Sequence, residues 1–573
     1  MKYFDNLLGG KKITVDRVFI MLVILMLVIN TGYSQKLGKK TDKPEKDLVH
    51  KKINSKLSEL YKAYKNERIN SSDQKWQDID LQDNASKVQV IVKISSESSI
   101  SILEQEVEKF NGKLESSYKN YVQLLLPIDH LVDIAERVQQ IDYIAPPHPS
   151  KPYKVDTSEG VELINADKFQ EEGIKGEGVK VAIIDGGFDN LSEVRASGDV
   201  PDSVIAYKKD FTSDDDFQTG GNHGTDIAEI IHDIAPAADL YLMKHSTSVE
   251  LGNAVDAAIN NGVDIINYSY GWWNTNFYDG TGVIANIAAD ANDQGVIFVN
   301  SAGNGAQNHW QGSWNDSNDN DFIEFSSGDE LQGIGYVEEG EQITLYMSWD
   351  AWPHEAEDYD LNLYRTDASG DLVLVSSSEG LQDGSEGQFP TETIDYTVST
   401  ADNYYFAIEN YSAPSTPDIE IFSRRNKDFE YNKTSSSLIA PANEQKVVTV
   451  GAISHNDWVS GPLETFSARG PTNDSKFTDS FIKPDVMGPD GVSTSGYGSF
   501  YGTSAAAPHT VGALALKLSN NPQQNNENII EDLYSSAIDM GNPGKDNLYG
   551  HGRLNIELQN NGNNPPLRPL VSD

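Results

Sequence analysis

The stretch of sequence that decides the fold reads VKVAIIDGG and spans residues 179–187. Its apolar residues run on without alternating with polar ones, which is typical of a strand buried on both faces of a parallel sheet. Further strand patterns alternate with helical patterns, the latter near residues 225–234, 251–261 and 282–294. This alternation predicts a doubly wound α/β domain built on a parallel sheet.

The α/β pattern is interrupted between residues 306 and 434. There the chain shows short alternating strands separated by Gly, Asp, Ser and Pro turns, which predict an all-β, jelly-roll-like sandwich. After residue 435 a strand pattern and a long helical pattern return. We therefore predict one α/β domain formed by residues 156–305 and 435–558, with the β-sandwich inserted into it.

The N-terminal 34 residues have the pattern of a secretory signal peptide. Residues 18–29 are uninterruptedly apolar, follow several basic residues, and lead to small residues just before residue 35. A helix that crosses a bilayer needs about 20 apolar residues, so this run is short for a membrane anchor. We expect residues 1–34 to be removed and the protein to be secreted with no stable membrane anchor. An uncleaved signal anchor is the alternative.

Two regions separate this segment from the α/β domain. Residues 35–85 are polar and Lys-rich, and we expect them to form a spacer without a core, in which a helix near residues 47–64 is possible. Residues 86–150 show the order β-α-β-β-α-β, which predicts a split βαβ unit of the α+β class. At the other end of the chain, residues 559–573 are rich in Asn and Pro and predict a disordered tail.

The composition excludes several classes of function. The net charge is −43, and such a surface repels nucleic acid and anionic membranes, so we expect neither as a partner. The chain has no cysteine, which excludes thiol chemistry, cysteine-based zinc sites and disulfide bonds.

Three short blocks carry residues with the potential for chemistry. Asp185 ends the strand pattern described above, at the edge of the sheet where α/β enzymes place their reactive groups. His223 begins a helical pattern in GNHGTDIA, residues 221–228. Ser504 lies in GTSAAAPH, residues 502–509, at a predicted helix N-terminus, where free N–H groups favour negative charge. Each residue taken alone is explained equally well as a helix cap, a turn residue or a structural histidine.

Taken together and in the order Asp, His, Ser, the three blocks resemble the active-site signatures of the subtilisin family of serine peptidases. The resemblance implies that Ser504 is the nucleophile, that His223 is the general base and that Asp185 orients the histidine. A fourth block, NSAGNG at residues 300–305, resembles the family's oxyanion segment, in which Asn304 donates to the tetrahedral intermediate.

The same resemblance implies the rest of the reaction. The substrates are proteins or peptides, hydrolysed through an acyl-enzyme intermediate, and no cofactor is required for the chemistry. Residues 86–150 correspond to an inhibitory propeptide, so that the protein is made as a self-processing zymogen.

Two further segments resemble the family's walls for the substrate chain. One pairs with an extended peptide and the other faces it across the S1 pocket. The first consists of Ser269, Tyr270 and Gly271, and the second of Ser301, Ala302 and Gly303.

The sequence departs from the family pattern at four positions. Gly186 stands where Ser or Thr is common, and Asp226 stands where a second histidine is frequent. Trp272 and Trp273 stand where small residues are common. We expect the two tryptophans to narrow the S1 entrance or to line it with aromatic rings.

Two acidic segments are candidates for binding a structural Ca²⁺ ion. Asp358 and Asp360 are predicted to point to the same face of a strand, where they would repel each other unless a cation lay between them. The loop of residues 315–321 is a second acidic segment, although it lacks the central Gly and terminal Glu of an EF-hand. A structural Ca²⁺ at either segment and a solvated acidic loop remain alternatives, and the metal ligands are unknown.

Two other functions have to be weighed. The chain could be an inactive homologue that acts as a binding or adhesive protein through its β-sandwich, but the three blocks are intact. A Ser-Glu-Asp carboxyl peptidase would need a Glu in the position of His223.

Overall fold

The computed structural model describes residues 48–66, 76, 79, 81–82, 86–147, 151–152, 159–212, 216–367, 369–424, 428–496 and 498–558. The predicted signal peptide and C-terminal tail lie outside these residues. Within the part of the chain just given, no helix combines the length and apolar character needed to cross a bilayer.

A seven-stranded parallel sheet forms the centre of the molecule. From one edge to the other its strands are Val486–Asp490, Val448–Ser454, Ile297–Ser301, Ile265–Tyr268, Lys180–Asp185, Asp239–Lys244 and Ile205–Asp210. In the Lys180–Asp185 strand, Val181 and Ile183 enter one core and Ala182 and Ile184 enter another. Both faces are buried, as the apolar run of this strand predicts.

Helices cover both faces of this sheet. On one face the core includes residues of the helices His223–Ile234, Thr503–Asn520 and Asn526–Ser536. On the other face it includes residues of Ser248–Asn260 and Gly282–Asp293. The shorter helices are Gly160–Leu163, Ala166–Glu171 and Leu191–Ser197. The predicted doubly wound α/β class is confirmed.

Two four-stranded antiparallel sheets lie between residues 306 and 434 and share one core, which includes Trp349, Tyr359 and Phe406. The first sheet has the strand order His309–Ser313, Asp418–Ser423, Gln342–Trp349 and Thr391–Thr397. The second has the order Gln332–Val337, Asp402–Ser412, Asp358–Thr366 and Leu372–Ser378. We call residues 306–434 the inserted β-domain, because the strands before and after it are neighbours in the central sheet.

The described residues between 48 and 147 form a separate α+β body, which we call the N-terminal unit. Its antiparallel strands are Leu81–Gln82, Lys87–Ile94, Lys113–Tyr118, Tyr121–Pro127 and Ile141–Ala145. The helices Ile100–Lys109 and Leu131–Arg137 connect them, in the β-α-β-β-α-β order expected for residues 86–150.

The prediction that residues 35–85 form a spacer without a core is wrong for the part that the structure describes. A helix spans Ser55–Lys65, and Asn54 caps it by accepting a hydrogen bond from the Lys56 N–H at 2.9 Å. Leu57 and Leu60 are fully buried in the core of the N-terminal unit. The helix agrees with the pattern of residues 47–64, whereas its packing into a core was not expected.

Candidate active site

Asp185 and His223 form a buried pair at the carboxyl end of the central strand Lys180–Asp185. The Nδ1 atom of His223 lies 2.7 Å from Asp185 Oδ2. The Gly187 N–H donates to the other carboxylate oxygen at 3.3 Å. This contact fixes the ring with Nδ1–H toward the carboxylate and leaves Nε2 as the reactive nitrogen. No group in the described part of the chain hydrogen-bonds Nε2.

His223 owes its position to close backbone approach. It is the first residue of the His223–Ile234 helix, and the Gly224 N–H donates to the Gly187 carbonyl at 3.0 Å. A Cβ on Gly224 would lie only 2.7 Å from that carbonyl oxygen. The imidazole then meets the rings of Tyr270 and Phe500 edge-on, each at 5.5 Å between centroids.

Ser504 is the second residue of the Thr503–Asn520 helix and is fully buried. Its hydroxyl donates to the Ser269 carbonyl at 3.3 Å rather than to His223 Nε2. In enzymes without a bound substrate the bond between nucleophile and base is often long, and it tightens in the substrate complex. The geometry therefore brings Ser504 to the same edge of the sheet as the Asp185–His223 pair.

Asn304 lies beside the start of the Ser504 helix. Its Oδ1 accepts from the Thr503 N–H at 2.9 Å and from the Thr503 hydroxyl at 2.8 Å. The amide orientation is fixed by these two donors, so the Nδ2 group is the one left to donate. A Cβ on Gly502, whose φ is +112°, would lie 2.7 Å from Asn304 Nδ2. Glycine at 502 therefore leaves the room that this amide needs.

The structure places both predicted substrate segments next to the nucleophile. Ser269 contacts Ser504 through its carbonyl, and Gly303 donates its N–H to the Thr503 hydroxyl at 3.0 Å. Ser301 ends its strand, and Ala302 bonds the neighbouring strand through its N–H.

Tyr270 and Gly271 form a short strand that already pairs with part of the chain. Their antiparallel partners are Pro152 and Lys151, respectively. An edge that accepts an extended backbone in this way is suited to hold a peptide.

Trp272 and Trp273 are both buried in packed clusters, and their expected place at the S1 entrance stays a prediction. Trp272 is fully buried, and its indole N–H donates to the Tyr268 hydroxyl at 2.7 Å. Trp273 stacks on Tyr346 of the inserted β-domain, with 5.1 Å between ring centroids. The Trp272 backbone N–H donates to the Ala440 carbonyl at 2.9 Å.

Gly186 departs from the family pattern because of Tyr270. A Cβ on Gly186 would lie 2.3 Å from the Tyr270 hydroxyl, so a larger residue does not fit. Burial and the nearby charge of Asp185 raise the pKa of Tyr270 well above its usual value. Sequence reasoning missed this role for the Tyr270 side chain, because Gly186 and Tyr270 meet only in the folded chain.

Asp226 does not simply replace a histidine. Its carboxylate accepts hydrogen bonds from the Thr494 hydroxyl and from the Gly496 N–H, the latter at 3.1 Å. One turn further along the same helix, Glu229 accepts from the Ser495 N–H at 2.8 Å. Burial is the main cause that raises the pKa of Glu229 to about 7. These two acids hold a segment that leads toward Ser504.

Asp490, like Glu229, is a buried acid that sequence reasoning missed. It ends the strand Val486–Asp490 and is fully buried. Its Oδ2 accepts from the Gly502 N–H at 2.9 Å, two residues before Ser504. Burial is the main cause that raises the pKa of Asp490 to about 7. Asp490 could have been identified from its position, because it is the last residue of a strand in the same parallel sheet, as Asp185 is.

The acidic segments considered for calcium are folded around their own backbone or buried. Asp316 accepts hydrogen bonds from the N–H groups of Asn318, Asn320 and Asp321, at 2.8–3.3 Å. Asp358 and Asp360 are buried in the inserted β-domain. The described residues contain no group of three or more His, Asp or Glu side chains arranged to hold a metal ion. A structural Ca²⁺ therefore stays a prediction.

The chain is similar in sequence to known proteases. It is 25% identical over 216 residues to subtilisin E of Bacillus subtilis, which covers 35% of this chain and 53% of subtilisin E. It is 25% identical over 428 residues to the minor extracellular protease Vpr of Bacillus subtilis, covering 66% of this chain and 50% of Vpr. The chain thus spans about half the length of these curated relatives.

Among solved structures, the CspB protease of Clostridium perfringens aligns with 69% of this chain and 96% of its own, with a TM-score of 0.49 and 17% identity. The model of the family described as "Subtilase family" matches residues 176–344 and 350–552. These two ranges contain Asp185, His223, Asn304 and Ser504 and make up more than half of the sequence. The chain belongs to the subtilase family.

Proposed function

We propose that the protein is a serine endopeptidase that hydrolyses peptide bonds in protein substrates through Asp185, His223 and Ser504. One observation carries the proposal: the 2.7 Å contact between Asp185 and His223 Nδ1 in a buried site, next to a serine at a helix N-terminus. A carboxylate that fixes the histidine tautomer leaves Nε2 free to accept a proton from a nucleophile.

The reaction follows from these positions. The Ser504 Oγ attacks the scissile carbonyl carbon while His223 Nε2 takes the hydroxyl proton, and the imidazolium is stabilised by Asp185. The C–N bond then breaks as His223 returns the proton to the leaving amine. A water molecule, activated by the same histidine, hydrolyses the acyl-enzyme and releases Ser504.

The negative charge of the tetrahedral intermediate is held by two donors. One is the backbone N–H of Ser504 at the start of its helix, where the helix dipole also favours negative charge. The other is the Asn304 Nδ2 group, whose orientation is supported by its two contacts with Thr503. Donors that are already oriented before the reaction stabilise the transition state most effectively.

We also propose that the protein is exported and made as a zymogen. The apolar run of residues 18–29 supports export. The pairing of Lys151 and Pro152 with Gly271 and Tyr270 supports a pro-segment that follows the path of a substrate out of the N-terminal unit. The N-terminal unit then acts as the enzyme's own inhibitor until it is released.

The test uses the full chain and its Ser504→Ala variant, expressed with the N-terminal segment intact. We expect the parent chain to hydrolyse casein, to react with a fluorophosphonate probe at Ser504, and to appear as a fragment cut before residue 160. The variant should show none of these. A parent chain that is folded yet unreactive to the probe would contradict the proposal.

A further inference from the structure

The N-terminal unit contacts two separate bodies of the molecule. We propose that residues 386–389 of the inserted β-domain, which we call the insertion loop, are a second docking surface for the N-terminal unit. The partner that this surface fits is therefore a segment of the same chain, retained after its linker to the α/β domain is cut. The inference rests on the proposed zymogen function and adds a means of delaying release.

The first surface lies on the α/β domain. Gln123 of the N-terminal unit accepts from the Thr247 hydroxyl at 2.6 Å and donates to Glu250 at 3.3 Å, at the start of the helix Ser248–Asn260. One turn further along this helix, Asn253 donates to the Ser116 hydroxyl at 2.7 Å. Apolar packing accompanies these hydrogen bonds, because Ile91 and Tyr118 of the N-terminal unit belong to the same buried cluster as residues of this helix.

The second surface is made by the side chain of Gln388, which is only 2% exposed. Its Oε1 accepts from the Ser55 N–H and its Nε2 donates to the Ile53 carbonyl, both at 3.3 Å. The Gly387 carbonyl accepts from the Asn54 side chain at 3.4 Å. One carboxamide thus pairs with the backbone of the N-terminal unit as a neighbouring strand would, which fixes the register of the contact.

Aromatic packing closes the space beside this pairing. The Tyr143 and Phe389 rings meet edge to face with centroids 5.5 Å apart, and Phe389 stacks on Trp352 at 5.4 Å. Gly387 has a φ of +90°, and a Cβ there would lie 2.7 Å from the Tyr143 Cβ. The loop therefore approaches the N-terminal unit as closely as a backbone can.

An ion pair lies at the rim of the same surface. Lys93 Nζ is 2.7 Å from Glu386 Oε1, with side chains 27% and 44% exposed. An exposed pair of this kind contributes little affinity by itself, but it favours one orientation of the partner. It also offers a reversible test, because both charges can be exchanged.

The value of the second surface lies in its separation from the first. The N-terminal unit leaves only when its contacts with the α/β domain and with the insertion loop are both broken. If only one contact breaks, the other keeps the unit close enough for the broken contact to form again. Such linkage increases retention by about 10²–10⁴-fold over one contact alone. Weakening the insertion loop should therefore speed release without changing the enzyme that remains.

The experiment uses the full chain with Ser504→Ala and a recognition site for an added sequence-specific protease in residues 148–158. After cutting, the dissociation rate of the N-terminal fragment is followed by size-exclusion chromatography. Gln388→Ala and Glu386→Lys should each raise this rate, the first by about tenfold or more. The matched control is Glu339→Lys, which makes the same charge change at an exposed site of the inserted β-domain.

Exchanging the charges of Lys93 and Glu386 tests whether the change in dissociation rate comes from this ion pair. Adding Lys93→Glu to Glu386→Lys should restore slow dissociation, because the ion pair is rebuilt in reverse. Equal dissociation rates for the parent, Gln388→Ala and Glu386→Lys chains would overturn the proposal. In the active chain, Gln388→Ala should shorten the lag before proteolysis and leave kcat/KM after release unchanged. An active chain that never gains activity counts against the proposed function, while the Ser504→Ala assay still decides the docking surface.

Discussion

The two halves of the candidate site are held in place by different forces. The half that carries the base is fixed by steric fit, since neither Gly186 nor Gly224 leaves space for a side chain beside the Asp185–His223 pair. Close-packed interiors respond strongly to added atoms, because overpacking forces side chains and backbone to move.

The half that carries the nucleophile is fixed by hydrogen bonds to buried acids. Asp490 holds the Gly502 N–H, and Glu229 holds the Ser495 N–H. Burial raises the pKa of both carboxyl groups to about 7. The stability of this half should therefore depend on pH through Asp490 and Glu229.

The largest loss of activity is expected when Asp185, which orients the base His223, is replaced. Asp185→Asn keeps the size of the side chain but no longer fixes the histidine tautomer or stabilises the imidazolium. A loss in kcat of about 10⁴-fold is expected, as in other serine proteases with this arrangement. Steady-state hydrolysis of a peptide substrate measures it, with circular dichroism to show that the fold is intact. A loss below tenfold would separate Asp185 from the reaction.

A smaller loss is expected from the oxyanion donor in the nucleophile half. Asn304→Ala removes Nδ2 and should lower kcat by about 10²–10³-fold with little change in KM, because the bond is made mainly in the transition state. Comparing kcat and KM with those of the parent chain checks this. A rise in KM with kcat unchanged would show that Asn304 serves substrate binding instead.

Steric fit in the base half can be tested through Gly186. Gly186→Ser places atoms where the Tyr270 hydroxyl lies and should destabilise the protein by about 1–3 kcal/mol. Combining it with Tyr270→Leu should recover much of the loss, since the hydroxyl and ring are gone. Denaturant unfolding of both variants in the Ser504→Ala background measures the change. Additive losses in the double variant would contradict the predicted compensation.

The smallest effect concerns pH and the nucleophile half. The folded-state pKa of Asp490, about 7, is raised from an ordinary value of 3.8. Between about pH 4 and 7 the folded state therefore holds a proton that the unfolded chain releases, so stability falls as pH rises through this window. Asp490→Asn should remove this part of the pH dependence and raise the Tm at pH 8.

The measurement is Tm against pH for the parent and the variant, both with Ser504→Ala. The exposed Asp371→Asn serves as the control. Identical slopes for the parent and Asp490→Asn chains would show that Asp490 does not titrate in this range.

Much of the fold could be predicted because it depends on local patterns. The apolar run of residues 179–187 predicts a doubly buried strand, and the change to alternating strands at residue 306 predicts the antiparallel sheets. The site blocks were informative for the same reason, since each lies at a strand end or a helix start.

What could not be predicted depends on contacts between distant residues. Trp272 bonds Ala440 and Trp273 stacks on Tyr346, and both partners lie far along the chain from the tryptophans. Asp490 was not singled out from the sequence, because only the fold brings it to Gly502. The core packing of the Ser55–Lys65 helix was missed because its partners include residues of the strands further along the chain.

The inserted β-domain also has a consequence for how the protein folds. Asn304 and Thr503 bond each other across 199 residues, a separation that makes direct encounter slow because long loops close at a high entropic cost. Within the insertion, His309 pairs with Phe422 on adjacent antiparallel strands. Once that domain has folded, its two ends lie side by side and most of the intervening chain no longer counts as loop. Folding of the insertion thereby offsets the separation that the insertion itself introduces between the nucleophile and its oxyanion donor.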